Sequence, residues 1–355
     1  MKKILSVISL GLLFGLVTST YSAAIKTNYV DVHMHLSGSG LGHGKGGAPN
    51  YEAAALGLIQ KMDAVGVSMA LIMPPPQSPH QKGRSKTYEA MLPALRNHKG
   101  RLFFLAGGGE LNPMIISTPA NAVTESIKLE FKRKAEQILN DGAKGFGEMT
   151  ALHFCFGPTH HFEQTDPDHP FFLLLADIAA QHNVPIDLHM EVVPKDQPVS
   201  AKLTDRCEEN PATVKGNVAG FEHLLTHNRG ARIVWQHVGW DNTGHKNLVF
   251  LREMLIKHSN LFLALKFVKP ELETFNLGNE MFDNQMKLRP EWLQLFKDFP
   301  DRFVIGADEF VGPADQPRRV GPPSFADTWS VIEQLPQDLR VKIASENAMR
   351  IYRLP

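Results

Sequence analysis

The chain has 355 residues, 43% of them hydrophobic and 21% charged, and a formal net charge of zero: an ordinary globular composition with enough length for a full core. Balanced charge argues against a general nucleic-acid or membrane-surface binder. Two cysteines, Cys155 and Cys207, are too few for a disulfide scaffold; in an oxidising compartment they either pair or remain two partly buried thiols.

The first residues read as a targeting segment. Met1-Lys2-Lys3 is cationic, Ile4 to Val17 is apolar without a charge, and Thr18 to Ala24 is small and polar, with Ser22 and Ala24 suiting an A-x-A-like cleavage. A secretory signal peptide over residues 1–24 is therefore predicted, with the mature chain starting near Ile25 and exported, in a bacterium, to the periplasm. The apolar run is short against the roughly 20 residues a membrane span needs. No cysteine follows it to carry a lipid, so no stable membrane anchor is expected.

Val30 to Ser37 is the first strand-like run, followed by a glycine-dense loop through Gly47 that lacks the Lys-Ser/Thr ending of a phosphate cradle. Tyr51 to Val65 has helical spacing, with Leu56, Ile59 and Met62 along one face, and Gly66 stops it. The cycle then repeats. Strands are expected at Val67–Met73, Leu102–Ala106, Ala143–Met149, Val184–His189, Arg232–His237, Leu261–Leu265 and Phe303–Asp308. Helices are expected near Thr87–Asn97, over a stretch marked by Ile127, Phe131, Ala135, Ile138 and Leu139, and at Pro170–His182 and Phe221–Thr226. Further helices are expected at Leu248–Lys257, Glu291–Phe299, Phe325–Gln334 and Gln337–Ile351.

Strongly apolar strands alternating with amphipathic helices call for a parallel sheet covered by helices, and eight such units match an α/β (β/α)₈ TIM barrel over residues 25–355. Helix-to-strand connections are tight while strand-to-helix connections are long and polar, as on a barrel whose strand-to-helix loops build the active face. A doubly wound open sheet would not require ligand-type residues on strands far apart in order.

Such residues stand at the predicted strand ends: His33 and His35 on the first, Glu148 on the fourth, His189 on the fifth, His237 on the sixth and Asp308 on the eighth. Residues two apart on a strand share a face, so His33 and His35 point together and Met34 opposite. Each residue alone has a bland reading, as a hydrogen-bonded histidine or a helix cap. Convergence of all of them on one barrel mouth points to a shared divalent metal.

The motifs Val32-His33-Met34-His35, Gly145-Phe146-Gly147-Glu148, Ile186-Asp187-Leu188-His189, Trp235-Gln236-His237 and Ile305-Gly306-Ala307-Asp308 resemble the amidohydrolase superfamily, within it the amidohydrolase-related branch. The ending Ile343 to Tyr352 is similar to that branch's closing helix, and the resemblance spans essentially the whole mature chain. It implies that His33, His35 and Asp308 hold the more buried metal, and that His189 and His237 hold a second ion or the reacting oxygen of a substrate. Gly147-Glu148 resembles the Gly-Glu of a deoxyribonuclease-like branch, which favours Glu148 as a bridge between two ions; a one-metal site with Glu148 partnering a histidine stays open. Lys144, on the same strand parity, is expected too deep in the barrel to replace it.

The implied cofactor is a divalent metal, zinc expected, in one or two copies. Such an ion brings the pKa of bound water to about 7 and polarises a carbonyl or phosphoryl oxygen. Asp308 is placed as general base and then acid, with His237 assisting. Hydrolysis of an amide, ester or lactone in a small-molecule substrate is the expected activity; a non-oxidative decarboxylase on the same scaffold and an inactive periplasmic binding protein are the alternatives. Lys82, Arg84, Lys86, Arg206, Arg318 and Arg319 fall on mouth-side loops, where they either bind an anionic substrate group or are simply solvated. His43, His153 and Trp240 fall near the mouth without an assigned role, and His160, His161 and His245 are expected at the surface.

Overall fold

The computed structural model of the chain describes residues 28–37, 50–77, 87–157, 160–267, 281–283, 285–313 and 325–355. The expected signal peptide, the glycine-dense loop with His43, and Lys82, Arg84, Lys86, Arg318 and Arg319 lie outside the described residues.

The main strands are β1 (Tyr29–Leu36), β2 (Val67–Ile72), β3 (Leu102–Phe104, resuming at Ala106–Gly107), β4 (Phe146–His153), β5 (Pro185–Met190), β6 (Arg232–Val238), β7 (Leu261–Leu265) and β8 (Phe303–Ile305, resuming at Glu309–Val311). Each pairs in parallel with the next: Ala70 of β2 faces Asp31 and Leu102, Ala106 of β3 faces Phe146, and Ile186 of β5 faces Phe146 and Ile233. Trp235 of β6 then faces Leu263, and Leu265 of β7 faces Ile305. Ile305 of β8 pairs back onto Asp31 of β1, so the sheet closes on itself as a (β/α)₈ barrel.

Two layers of apolar side chains follow from the closure. Val30, Val32, Leu71, Leu105, Val234, Ala264 and Val304 fill the barrel interior, where Ala348, Ile351 and Tyr352 of the last helix, Asn347–Tyr352, also pack. The alternate residues, among them Tyr29, Met34, Phe146, Ile186, Trp235, Leu263 and Ile305, pack outward against the helices.

Helix ends are fixed locally. The Asn50 side chain accepts the Ala53 N–H ahead of Tyr51–Val65, Thr124 does the same for Ile127 ahead of Glu125–Asn140, and Gly66 and Asn183 close two helices in the left-handed conformation. The helix Tyr51–Val65 differs from expectation in its inner face. Ala54, Ala55, Leu58 and Met62 are buried whereas Leu56 is 52% exposed, so the inward row is set by the residues three and four apart from Leu58 and Leu56 turns away from it. The helix expected near Thr87 begins only at Leu92, just ahead of Pro93, and the one expected at Phe221 begins earlier, at Val218.

The fourth strand carries the largest correction. It starts at Phe146, not Ala143, and runs on to His153, so Glu148 lies inside the strand rather than at its end. A short antiparallel strand, Glu163–Gln164, pairs with Leu152 and His153 and extends the ladder past the point where apolar alternation stops. Cys155 and Cys207 form a disulfide, settling the two options left open by their number.

Candidate metal centre

His33 and His35 lie at the end of β1, where the pairing with β2 is irregular between Asp31 and Met34. Val30 and Val32 face the interior below the irregularity, and His33 and His35 face it above, with Met34 outward as strand parity requires. His237 and Asp308 are placed by another device. Both adopt left-handed backbone, with φ of 60° and 56°, a conformation that costs about 1–3 kcal/mol for a non-glycine residue and concentrates at functional sites. In β8 this turn interrupts the strand between Ile305 and Glu309, and the Asp308 N–H donates to the His33 carbonyl.

All six expected residues meet. Oε1 of Glu148 accepts from Nδ1 of His189 at 2.8 Å and from Nε2 of His237 at 3.2 Å. Its other oxygen, Oε2, lies 3.6 and 3.5 Å from Nε2 of His33 and His35. Oδ1 of Asp308 stands 3.3 Å from Nε2 of His35 and 3.8 Å from Nε2 of His33. Donors sharing one tetrahedral ion at bonds of about 2.0–2.1 Å stand about 3.3 Å apart, so these separations suit a common cation.

Tautomers follow from the far side of each ring. Nδ1 of His35 donates to the Met73 carbonyl at 2.9 Å, and Nδ1 of His33 contacts Oδ2 of Asp187 at 3.3 Å. Both partners hold Nδ1 away from the site, which directs Nε2 into it, the arrangement metal-bound histidines use. Nε2 of His33, Nε2 of His35 and Nδ1 of His237 are buried with no hydrogen-bond partner. Three orphaned imidazole nitrogens beside two carboxylates fit a divalent ion of the nitrogen-and-oxygen-binding class, zinc among them. His33, His35 and Asp308 form one such group and His33, Glu148 and His237 a second.

The electrostatics agree with the geometry. Burial alone would push the His33 imidazole down, but Asp187 and Glu148 outweigh it and hold it well above its ordinary value, so the cavity favours positive charge. Burial likewise opposes ionisation of Glu148 and Asp308. His33, His189 and His237 nevertheless keep Glu148 well below the carboxylate range, and Lys266 does the same for Asp308. His237 is pushed down by burial and stays neutral.

Several participants were not read from the sequence. Asp187 accepts from Nε2 of Gln236 at 2.7 Å while orienting His33; it stands two residues before His189, so strand parity alone marks it as inward. Lys266 follows β7 directly and reaches Oδ2 of Asp308 at 2.6 Å, with the Trp240 ring 5.1 Å from its ammonium. His153, expected near the mouth without a role, ends β4 and stacks edgewise on His189 at 4.8 Å between ring centres. Its Nε2 meets Nε2 of His160 at 3.2 Å, so His160 belongs to the mouth and not to the surface. His161 pairs with Glu209, and His245 contacts Gln197. Lys144 precedes β4 with its ammonium over the Phe103 ring, as its expected depth implied. Arg206 lies over the Phe156 ring.

A family model described as amidohydrolase matches residues 30–354. The chain belongs to the amidohydrolase family. No curated protein matches it. Among solved structures, this amidohydrolase is similar to dihydroorotase from Campylobacter jejuni, at 14% identity over 94% of this chain and 87% of that one, with a TM-score of 0.49. It is similar also to amidohydrolase 2 from Bifidobacterium longum subsp. infantis, at 10% identity over 92% of this chain and 99% of that one, with a TM-score of 0.48. A third likeness, at 13% identity over 92% and 99% of the two chains and a TM-score of 0.45, is to a probable 2-pyrone-4,6-dicarboxylic acid hydrolase from Acinetobacter baumannii with citric acid bound. Identities this low leave the chemistry of each to that protein.

Proposed function

We propose that the chain is a metal-dependent hydrolase that adds water to a carbonyl centre, an amide, ester or lactone, in a small molecule. The observation that carries this reading is the set of orphaned nitrogens on His33, His35 and His237 facing the ionised carboxylates of Glu148 and Asp308. His33, His35 and Asp308 would hold one ion. Glu148 turns one oxygen to the His33–His35 pair and the other to the His189–His237 pair, so Glu148, His189 and His237 would hold a second ion or, with one ion bound, the substrate oxygen. A divalent ion held there supplies an acidified water and an electrophile for the substrate oxygen.

The chain's own residues do the rest. Asp308 is ionised and only 15% exposed, so it can take a proton from the water and return it to the leaving group. His237, neutral and adjacent to Asp308, is placed to hold a substrate oxygen, as is His189 beside it. Asp187 and the Met73 carbonyl hold the first two imidazoles in register.

The test is metal analysis of the purified protein together with an ester, lactone and amide panel, with and without chelator. One or two equivalents of divalent metal and chelator-sensitive hydrolysis are expected, abolished in Asp308→Asn with the fold retained. Carbon dioxide release from aromatic carboxylates without hydrolysis would instead assign a decarboxylase. An active Asp308→Asn variant would remove that residue's proton-transfer role. We also propose export to the periplasm, with residues 25–355 as the mature barrel domain; the Cys155–Cys207 bridge supports an oxidising compartment.

A further inference from the structure

The two oxygens of Asp308 face different neighbours. Oδ1 points to the imidazole nitrogens of His35 and His33, at 3.3 and 3.8 Å. Oδ2 is 2.6 Å from the ammonium of Lys266 and 3.8 Å from Nδ1 of His237. Lys266 is itself fixed at both ends. Its backbone N–H donates to the Val238 carbonyl at 2.8 Å, and its ammonium lies 5.1 Å from the centre of the Trp240 ring. Between those two anchors stands Gly239, with φ of 111° and so little room that a Cβ would come within 2.2 Å of the Lys266 carbonyl oxygen. The ends of β6 and β7 are thus pressed together, and the lysine head is clamped between an aromatic face and a carboxylate.

We propose that Lys266 is a positioning residue of the metal centre: it holds Oδ2 of Asp308 so that Oδ1 is presented to the ion bound by His33 and His35. This rests on the metal-centre reading above. A short carboxylate on a left-handed backbone has two side-chain torsions to fix, and the hydrogen bond from the Asp308 backbone N–H to the His33 carbonyl fixes neither. The lysine contact does so from the side away from His33 and His35. Outer partners that orient a metal ligand are typically worth about ten- to hundred-fold in metal affinity.

The sign of the effect separates positioning from charge. An ammonium near a divalent ion repels it, so a lysine present only as a cation would weaken metal binding, and its removal would tighten it. A positioning lysine gives the opposite result. The experiment measures Zn²⁺ affinity by chelator competition, and the visible spectrum of the Co²⁺-loaded protein, for wild type, Lys266→Met, Lys266→Gln and Lys266→Arg. Both neutral variants are expected to bind Zn²⁺ about ten- to hundred-fold more weakly with an altered Co²⁺ spectrum. Lys266→Arg is expected to recover most of the affinity. In an Asp308→Asn background, Lys266→Met should change affinity little, since the lysine acts through that carboxylate. Unchanged or tighter binding in Lys266→Met, or in Lys266→Gln should the Met variant not fold, overturns the proposal while leaving the metal centre standing. Wild-type protein that takes up neither ion overturns the metal centre, and the role of Lys266 with it.

Discussion

Burial opposes ionisation of Glu148, Asp308 and Glu163 alike, and what offsets it separates the centre from its frame. Glu148 has four imidazoles around it and Asp308 has a lysine, and both are held ionised. Glu163 has only the Asn112 amide, 2.8 Å from its Oε2, and burial raises its pKa from 4.5 to about 7. In the folded chain Glu163 therefore keeps its proton in a range where the unfolded chain releases it. Its contribution is fully present below about pH 4.5, declines as pH rises, and is gone above about 7. Glu163→Gln keeps an acceptor for Asn112 and carries no charge to bury. Denaturant unfolding should show the variant little different from wild type at pH 5 and more stable at pH 8, by on the order of 2–3 kcal/mol. An equal difference at both pH values would show that burial does not govern this carboxyl.

At the scale of the element, apolar runs locate the strands well because a strand buried on both faces must be apolar nearly throughout. Leu261–Leu265 and the helix Leu248–Lys257 fall where their sequence places them. Strand ends were harder to read, since they depend on partners far away in the chain. β4 outlasts its apolar pattern because Glu163–Gln164 pairs with it, which hid His153 from a reading of strand termini. Strand parity explains why Met34 faces out between His33 and His35, but it cannot anticipate a reversal of backbone sign at His237 or Asp308. Gly239 is the hinge of one such departure. Gly239→Ala would force a Cβ toward the Lys266 carbonyl on backbone that disfavours it, so the β6 and β7 ends must separate. A loss of more than about 1 kcal/mol in unfolding free energy is expected, with weaker Zn²⁺ binding because Lys266 and Trp240 move with that backbone. An alanine variant with wild-type stability and affinity would show that the turn carries no such constraint.

Closure of the barrel is what the whole molecule adds to its parts. Glu148 and His237 are 89 residues apart in sequence and in hydrogen-bond contact, because β4 and β6 flank β5 on one cylinder. That convergence was legible from eight repeated units and from the residue types at their ends. The roles of the tautomer-setting partners Asp187 and Met73, and of the lysine beside Asp308, were not: parity marks Asp187 as inward but not as a partner of His33, and Met73 and Lys266 stand just beyond their strands, where their contacts depend on distant segments. The disulfide joins fold and compartment. Cys155 stands two residues beyond His153, and its bridge closes a sequence separation of 52. Asn210 braces the same junction, accepting from the Cys155 N–H and donating to the carbonyls of Cys155 and Leu203. A loop of that length corresponds to about 4 kcal/mol of stability in the chain-entropy account. A Cys155→Ser, Cys207→Ser double variant should therefore unfold at lower temperature yet keep most of its Zn²⁺ affinity, because His33, His35, Glu148, His237 and Asp308 lie outside the closed loop and His189, inside it, is held by pairing of its own strand. Full-length chain expressed in a bacterium and recovered from the periplasm should show, by intact mass, a start near Ile25 and two hydrogens fewer than the reduced form. A recovered mass that retains residues 1–24, or that carries two free thiols, would contradict export to an oxidising space, and the bridge would then be no guide to where the protein works.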